Sequence, residues 1–173
     1  MTQSNITAEQ QAIIQTQLGR QPRGLAGIAV ASAEGEPQVL QMRSLVDDEP
    51  FPTLFWLSGP ALYQAIAEIE TAGTVKQLEL ALQAEPDFLA EHLADQQRYV
   101  DLRWQLMAAE DQQRIEERGF TGLFNQYGIG GIRHWDKIRC LHMQYAFHMV
   151  AGSAVGRRLD QLFQLNALWT GAE

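Results

Sequence analysis

Apolar residues recur along this chain with two periods, and the switch between them marks its elements. Ile13, Ile14 and Leu18 share a helical stripe, Thr7 and Gln10 stand at capping-box spacing before it, and Gly19 follows, so a helix is predicted over about 8–18. The pattern then becomes strand-like. The runs 25–32 and 38–46 flank Glu34-Gly35-Glu36-Pro37 and read as a hairpin. A third strand is predicted over 51–57, with Pro52 admissible only at its start or at a sheet edge. From Pro60 the helical period returns: Leu62, Ile66 and Ile69 mark a helix closed by Gly73, and Val75, Leu78 and Leu82 mark a second. Phe88, Leu89, Leu93, Val100, Trp104 and Met107 predict a long helix over about 87–117, bounded by Pro86 and Gly119. The stretch 119–131 reads as a loop, 135–151 as a helix and about 156–169 as a last one. The expected fold class is therefore α+β, a small three-stranded antiparallel sheet near the N-terminus packed by a mainly helical remainder. One domain is expected, with helix and sheet over about 8–58 and the helical part over about 60–169.

Composition narrows the setting. A chain of 173 residues, 46% of them hydrophobic, is long enough to bury a substantial core. No stretch approaches the roughly 20 apolar residues that span a bilayer, and no basic segment leads an apolar run at the N-terminus, so neither membrane insertion nor secretion is expected. Cys140 is the only cysteine, which rules out an internal disulfide and suits the cytoplasm. The net charge of -8 argues against nucleic-acid binding, which depends on clustered Lys and Arg. That average hides an asymmetry. Between Glu34 and Glu117 stand 17 acids and 5 bases, whereas from Gly128 to Leu159 Arg133, Lys137, Arg139, Arg157 and Arg158 face Asp136 alone.

Three separated blocks carry a resemblance. Residues 17–24 (Gln-Leu-Gly-Arg-Gln-Pro-Arg-Gly), residues 50–57 (Pro-Phe-Pro-Thr-Leu-Phe-Trp-Leu), and Gly130-Gly131 with Arg139-Cys140-Leu141-His142 and the later Val155-Gly156 resemble the bacterial family known as domain of unknown function 501. The resemblance spans nearly the whole chain and implies no established reaction. Some members of that family carry cysteines in the first hairpin, where this chain has Ala31, Ser32 and Ala33. A metal site shared between such thiols and Cys140 cannot persist here with the same ligands.

The densest chemistry lies between Gly130 and His148. A glycine pair at a helix start, followed by cations, offers unobstructed backbone N–H groups and positive charge to an anion. Arg20, Arg23, Gly130, Gly131, Arg133 and Lys137 are the candidate ligand-binding residues, for a small phosphate- or carboxylate-bearing molecule. The competing reading makes these arginines ion-pair partners of the chain's own acids. No Walker loop or dinucleotide fingerprint is present, so no cofactor is expected. Cys140 and His142 are the candidate catalytic residues, as nucleophile or base. Two positions apart on a regular helix they lie about 200° apart, so each is expected to act singly, or to be simply packed. His134, Cys140, His142 and His148 share no helical face, and no metal site is predicted. One would require the helix to begin after Arg139, or an acid from the long helix. The acidic helices and the aromatic run 51–57 offer an alternative, non-enzymatic role against a protein partner, and the long helix can pair with a second copy in a homodimer.

Overall fold

The computed structural model describes residues 6–169, and its architecture is α+β. Helix α1 (Ala8–Leu18) opens with the capping box: the Gln10 N–H donates to Thr7 Oγ1 at 3.1 Å and the Thr7 N–H to Gln10 Oε1 at 3.0 Å. Strands β1 (Leu25–Ala31) and β2 (Pro37–Met42) form an antiparallel hairpin. A short pair, β3 (Leu45–Val46) and β4 (Glu49–Pro50), follows, and β5 (Phe55–Leu57) joins the free side of β2 to give the order β1-β2-β5. The second and third strands are shorter than their patterns predict. The chain leaves β2 to make the β3–β4 turn, where Asp47 and Asp48 take φ of 51° and 62°, a left-handed pair that suits a tight hairpin. Pro52 pairs no strand, and its carbonyl accepts from Arg103 Nη1 at 2.7 Å.

The sheet is covered on both faces because its side chains alternate. Leu40, Met42 and Trp56 pack with Ile14 of α1, while Val39, Phe55 and Leu57 join the main core under the helices. Those helices are α2 (Pro60–Thr71), α3 (Thr74–Ala84), α4 (Pro86–Leu106), α5 (Ala109–Glu117), α6 (Thr121–Gln126), α7 (Leu141–Ala151) and α8 (Ala154–Phe163), with a final 3-10 turn at Leu165–Leu168. Helix α7 lies across β5 and packs on α2 and α8. No helix among the described residues is long and apolar enough to cross a membrane.

Four differences from the sequence pattern have physical causes. The helix predicted over 87–117 is two, parted where Met107 and Ala108 turn extended, and α5 thereby directs Ile115 at Leu45 and Phe124, and Asp111 at Arg43. The loop predicted over 119–131 contains α6. The last helix stops at Phe163, because Gln164 takes φ 53°. Helix α7 begins at Leu141, six residues later than its apolar period suggests. Its starting point governs the chemistry of the whole region.

Candidate functional site

The segment between α6 and α7 is held by side chains reaching it from α2, α3 and α4. Within it, the Gly128 N–H donates to the Ile132 carbonyl at 2.8 Å and the Gly131 N–H to the Gly128 carbonyl at 3.0 Å, a turn in which Gly130 and Gly131 take φ of 76° and 69°. From α4, the Gln96 amide oxygen accepts the Ile129 N–H at 2.7 Å, while Arg103 donates to the carbonyls of Phe124 and Tyr127. From α3, Glu79 accepts the Ile138 N–H at 3.0 Å; from α2, Glu70 accepts the Leu141 N–H at 2.5 Å. These bonds explain why 135–140 is not helical. The Ile138 N–H, and the Leu141 N–H that opens α7, find carboxylates on neighbouring helices, a tertiary alternative to the helical ladder.

The expected glycine cradle is therefore displaced. Gly130 and Gly131 stand eleven and ten residues before the start of α7 at Leu141, and the Gly131 N–H is already used within its own turn. The α7 N-terminus has an anion, but it is the protein's own Glu70. Nor do the candidate cations share a partner or a groove. Arg23 pairs with Asp47, and Arg20 lies over the Trp56 ring, 5.8 Å from its centroid. Arg157 and Arg158 pair with Glu91 and Glu85.

Arg133 belongs to a different class. It donates to Gln126 Oε1 at 3.0 Å and lies over Tyr127, with no carboxylate partner, and the side chains of Lys137 and Arg139 have no ion pair or hydrogen bond among the described residues. Of these three cations Arg133 alone, with Asn125, Gln126, His134 and Trp135, lines an open groove of about 660 Å³. The Trp135 indole is fixed by donating to the Gln126 carbonyl at 2.8 Å. Another groove, lined by Arg43, Asp47, Asp48, Glu110, Asp111, Arg114 and Glu117, is rich in carboxylates that already hold its arginines.

Cys140 and His142 meet, contrary to the expectation that they act apart. Cys140 is the extended residue before α7, with φ -145° and ψ 121°, so the 200° helical separation does not apply, and Sγ lies 3.8 Å from His142 Nδ1. On the other side of the ring, Nε2 is 3.1 Å from the Tyr63 carbonyl, and the exposed Tyr63 ring lies against the imidazole. Glu70 Oε2 is 3.4 Å from the same Nδ1. Burial pushes the Cys140 thiol upward, and the Glu70 charge adds to it, although N–H groups of Met143 and His142 pull the other way. As it stands this is a protonated thiol, a poor nucleophile. Among the described residues, Glu70, Cys140 and His142 form a set whose donor atoms all lie within 4.8 Å of one another. His148 belongs elsewhere: its Nε2 donates to Asp160 at 3.0 Å, and its Nδ1 accepts from the Ser153 N–H at 2.9 Å.

Glu70, Glu79, His92 and Gln96 escaped the sequence reading, although a signal existed. The buried face of α4 is Phe88, His92, Asp95, Gln96, Tyr99, Val100 and Arg103, a polar ladder at helical spacing, whereas Leu93, expected inside, is 38% exposed. Glu70 likewise follows the Leu62, Ile66, Ile69 stripe directly. An ionisable residue in register with an apolar stripe signals a tertiary partner.

Residues 28–161 match the family described as "Protein of unknown function (DUF501)". The chain belongs to that family. The match takes in the sheet from Ile28 onward, α2 to α7, the basic segment and the Cys140 site. No curated protein and no solved structure matches the chain.

Proposed function

We propose that this DUF501 protein binds a small anionic ligand, phosphate- or carboxylate-bearing, in the groove lined by Asn125, Gln126, Arg133, His134 and Trp135. The observation that carries the reading is the pairing of the cations. Where the sequence left intramolecular ion pairs as the competing account, Arg23, Arg157 and Arg158 follow it, while Arg133, Lys137 and Arg139 have no carboxylate partner among the described residues. A loop in which Arg133, Lys137 and Arg139 stand against Asp136 alone makes this part of a protein of net charge -8 locally cationic. Asn125 and Gln126 supply hydrogen-bonding groups, and Trp135 a fixed wall. Gly130 and Gly131 serve by shaping the loop, and Arg20 and Arg23 drop out of the binding set.

A thermal-shift series tests this at constant ionic strength with inorganic phosphate, pyrophosphate, ATP and succinate, using chloride as the blank. A saturable rise is expected for at least one, worth about 2.7 kcal/mol at a hundred times Kd. Arg133→Ala should remove most of it and Arg23→Ala none. Flat melting curves with every probe, or the same rise in Arg133→Ala, would sink the reading.

A further inference from the structure

We propose that Glu70, Cys140 and His142 form a binding site for a divalent transition-metal ion of the zinc class, separate from the anion groove. The decisive feature is how the three side chains are aimed. A carbonyl oxygen can only accept, so the contact with Tyr63 places the hydrogen on His142 Nε2 and leaves the Nδ1 lone pair facing Glu70 and Cys140. In a Cys–His–acid catalytic relay the carboxylate orients the nitrogen opposite the thiol. Here carboxylate and thiol converge on one nitrogen, and a backbone carbonyl holds the other. That is the arrangement of ligands about one cation, with the outer hydrogen bond that fixes a metal-binding histidine's tautomer.

Distances and charge agree. Zinc bonds of about 2.0–2.3 Å in a tetrahedron place ligand atoms roughly 3.3–3.8 Å apart. Nδ1 to Glu70 Oε2 is 3.4 Å and Nδ1 to Cys140 Sγ is 3.8 Å, so the imidazole needs little rearrangement toward either, and the thiol and carboxylate already lie within 4.8 Å of each other. With a neutral imidazole, a lone pair and a carboxylate oppose each other at 3.4 Å, an unfavourable meeting that a cation between them reverses. Thiolate and carboxylate would balance a 2+ ion, and the thiol proton would leave on binding. Three protein ligands leave a fourth position open. The side chains of Glu70 and His142 are 28% and 11% exposed, so an ion has access from solvent.

The rival occupant of the gap is a proton, giving an imidazolium–Glu70 ion pair alone. Alkylation of Cys140, the only cysteine, separates the two on the full-length, tag-free chain. Added Zn²⁺ should slow alkylation by iodoacetamide about ten-fold or more, and Co²⁺ should give a thiolate-to-metal charge-transfer band at one equivalent. Glu70→Gln keeps an oxygen for the Leu141 N–H but loses the charge, and should weaken Zn²⁺ binding by about ten-fold or more while the circular-dichroism spectrum stays native. Cys140→Ser should abolish the cobalt band. If Zn²⁺ leaves the alkylation rate unchanged, or binds Glu70→Gln and Cys140→Ser as tightly as the wild type, the gap holds a proton or nothing and the proposal fails. Arg133→Ala, which tests the anion groove, should leave metal binding unaltered, so the two readings fail separately.

Discussion

Arg103 is fully buried, and its guanidinium meets no carboxylate among the described residues. It donates instead to the carbonyls of Pro52, Phe124 and Tyr127, between the rings of Tyr99 and Phe124 at 5.4 and 5.3 Å from their centroids. Burial lowers its pKa, which is the electrostatic cost of a charge removed from water with only dipoles and π-faces around it. The gain is geometric, since one planar fork closes three backbone acceptors from two separate segments, the Pro52 loop and the end of α6. Arg103→Met removes the charge and its cost but leaves the Phe124 and Tyr127 carbonyls without donors and the Pro52 carbonyl with only the long 3.4 Å bond from the Tyr99 hydroxyl, at about 1–3 kcal/mol for each that stays dry. The orphaned acceptors outweigh the relieved charge, so urea denaturation should show a loss of about 3 kcal/mol or more. Arg103→Lys should recover only part, because a single ammonium cannot span the three acceptors. A Lys variant as stable as the wild type would mean that charge, not the fork, holds the loops.

Helix α8 shows how a neighbouring element overrides helix propensity. Gly156 sits in its first turn, where alanine ought to gain roughly 1 kcal/mol. A Cβ there would overlap the His148 ring, which is fixed at both nitrogens by Ser153 and Asp160 and cannot swing aside. Gly156→Ala should therefore destabilise, by about 1–3 kcal/mol as overpacked sites do. Gly122 in α6 is the control: its nearest neighbour is the movable Gln126 amide at 3.9 Å, so Gly122→Ala should stabilise by up to about 1 kcal/mol. Chemical denaturation of the pair checks both signs, and two changes of the same sign would refute this account. The same contest sets what was legible in the sequence. The capping box of α1 and the hairpin around Gly35 were readable because they are settled within a few residues. The start of α7 was not, because it depends on Glu70 and Glu79, 71 and 59 residues away in sequence. That one misplaced boundary put Cys140 and His142 on opposite sides of a helix, and made Gly130-Gly131 a helix start that it is not. Nor did periodicity betray the break after α4, since neither glycine nor proline stands there.

Across the molecule, the response to acid separates into two limbs. Burial lowers the His92 pKa from its ordinary 6.5, despite contacts with Lys137 and Asp95 that favour the charged ring. Well above pH 6.5 the ring is neutral in both folded and unfolded chains and contributes no pH dependence. Below it the unfolded chain takes up a proton that the folded one resists, so stability falls with decreasing pH until the folded ring also titrates, by at most about 1.4 kcal/mol per pH unit. Asp48 and Glu85 lie lower than usual because Arg114 and Arg158 hydrogen-bond to them, and what they contribute is lost as pH falls below their ordinary 3.8 and 4.5. Both carboxylates are solvent-exposed, so salt weakens that lower limb, whereas His92 is out of reach of ions. Urea midpoints measured between pH 7 and 5.5 should therefore fall for the wild type and hardly change with roughly 0.5 M NaCl. In His92→Gln, whose amide oxygen can still accept from Gln96, the slope over that range should flatten even if absolute stability drops. An unchanged slope would move the upper limb to another group, and with it the view that the α4 polar ladder, rather than the surface charge of -8, sets how the fold tolerates mild acid.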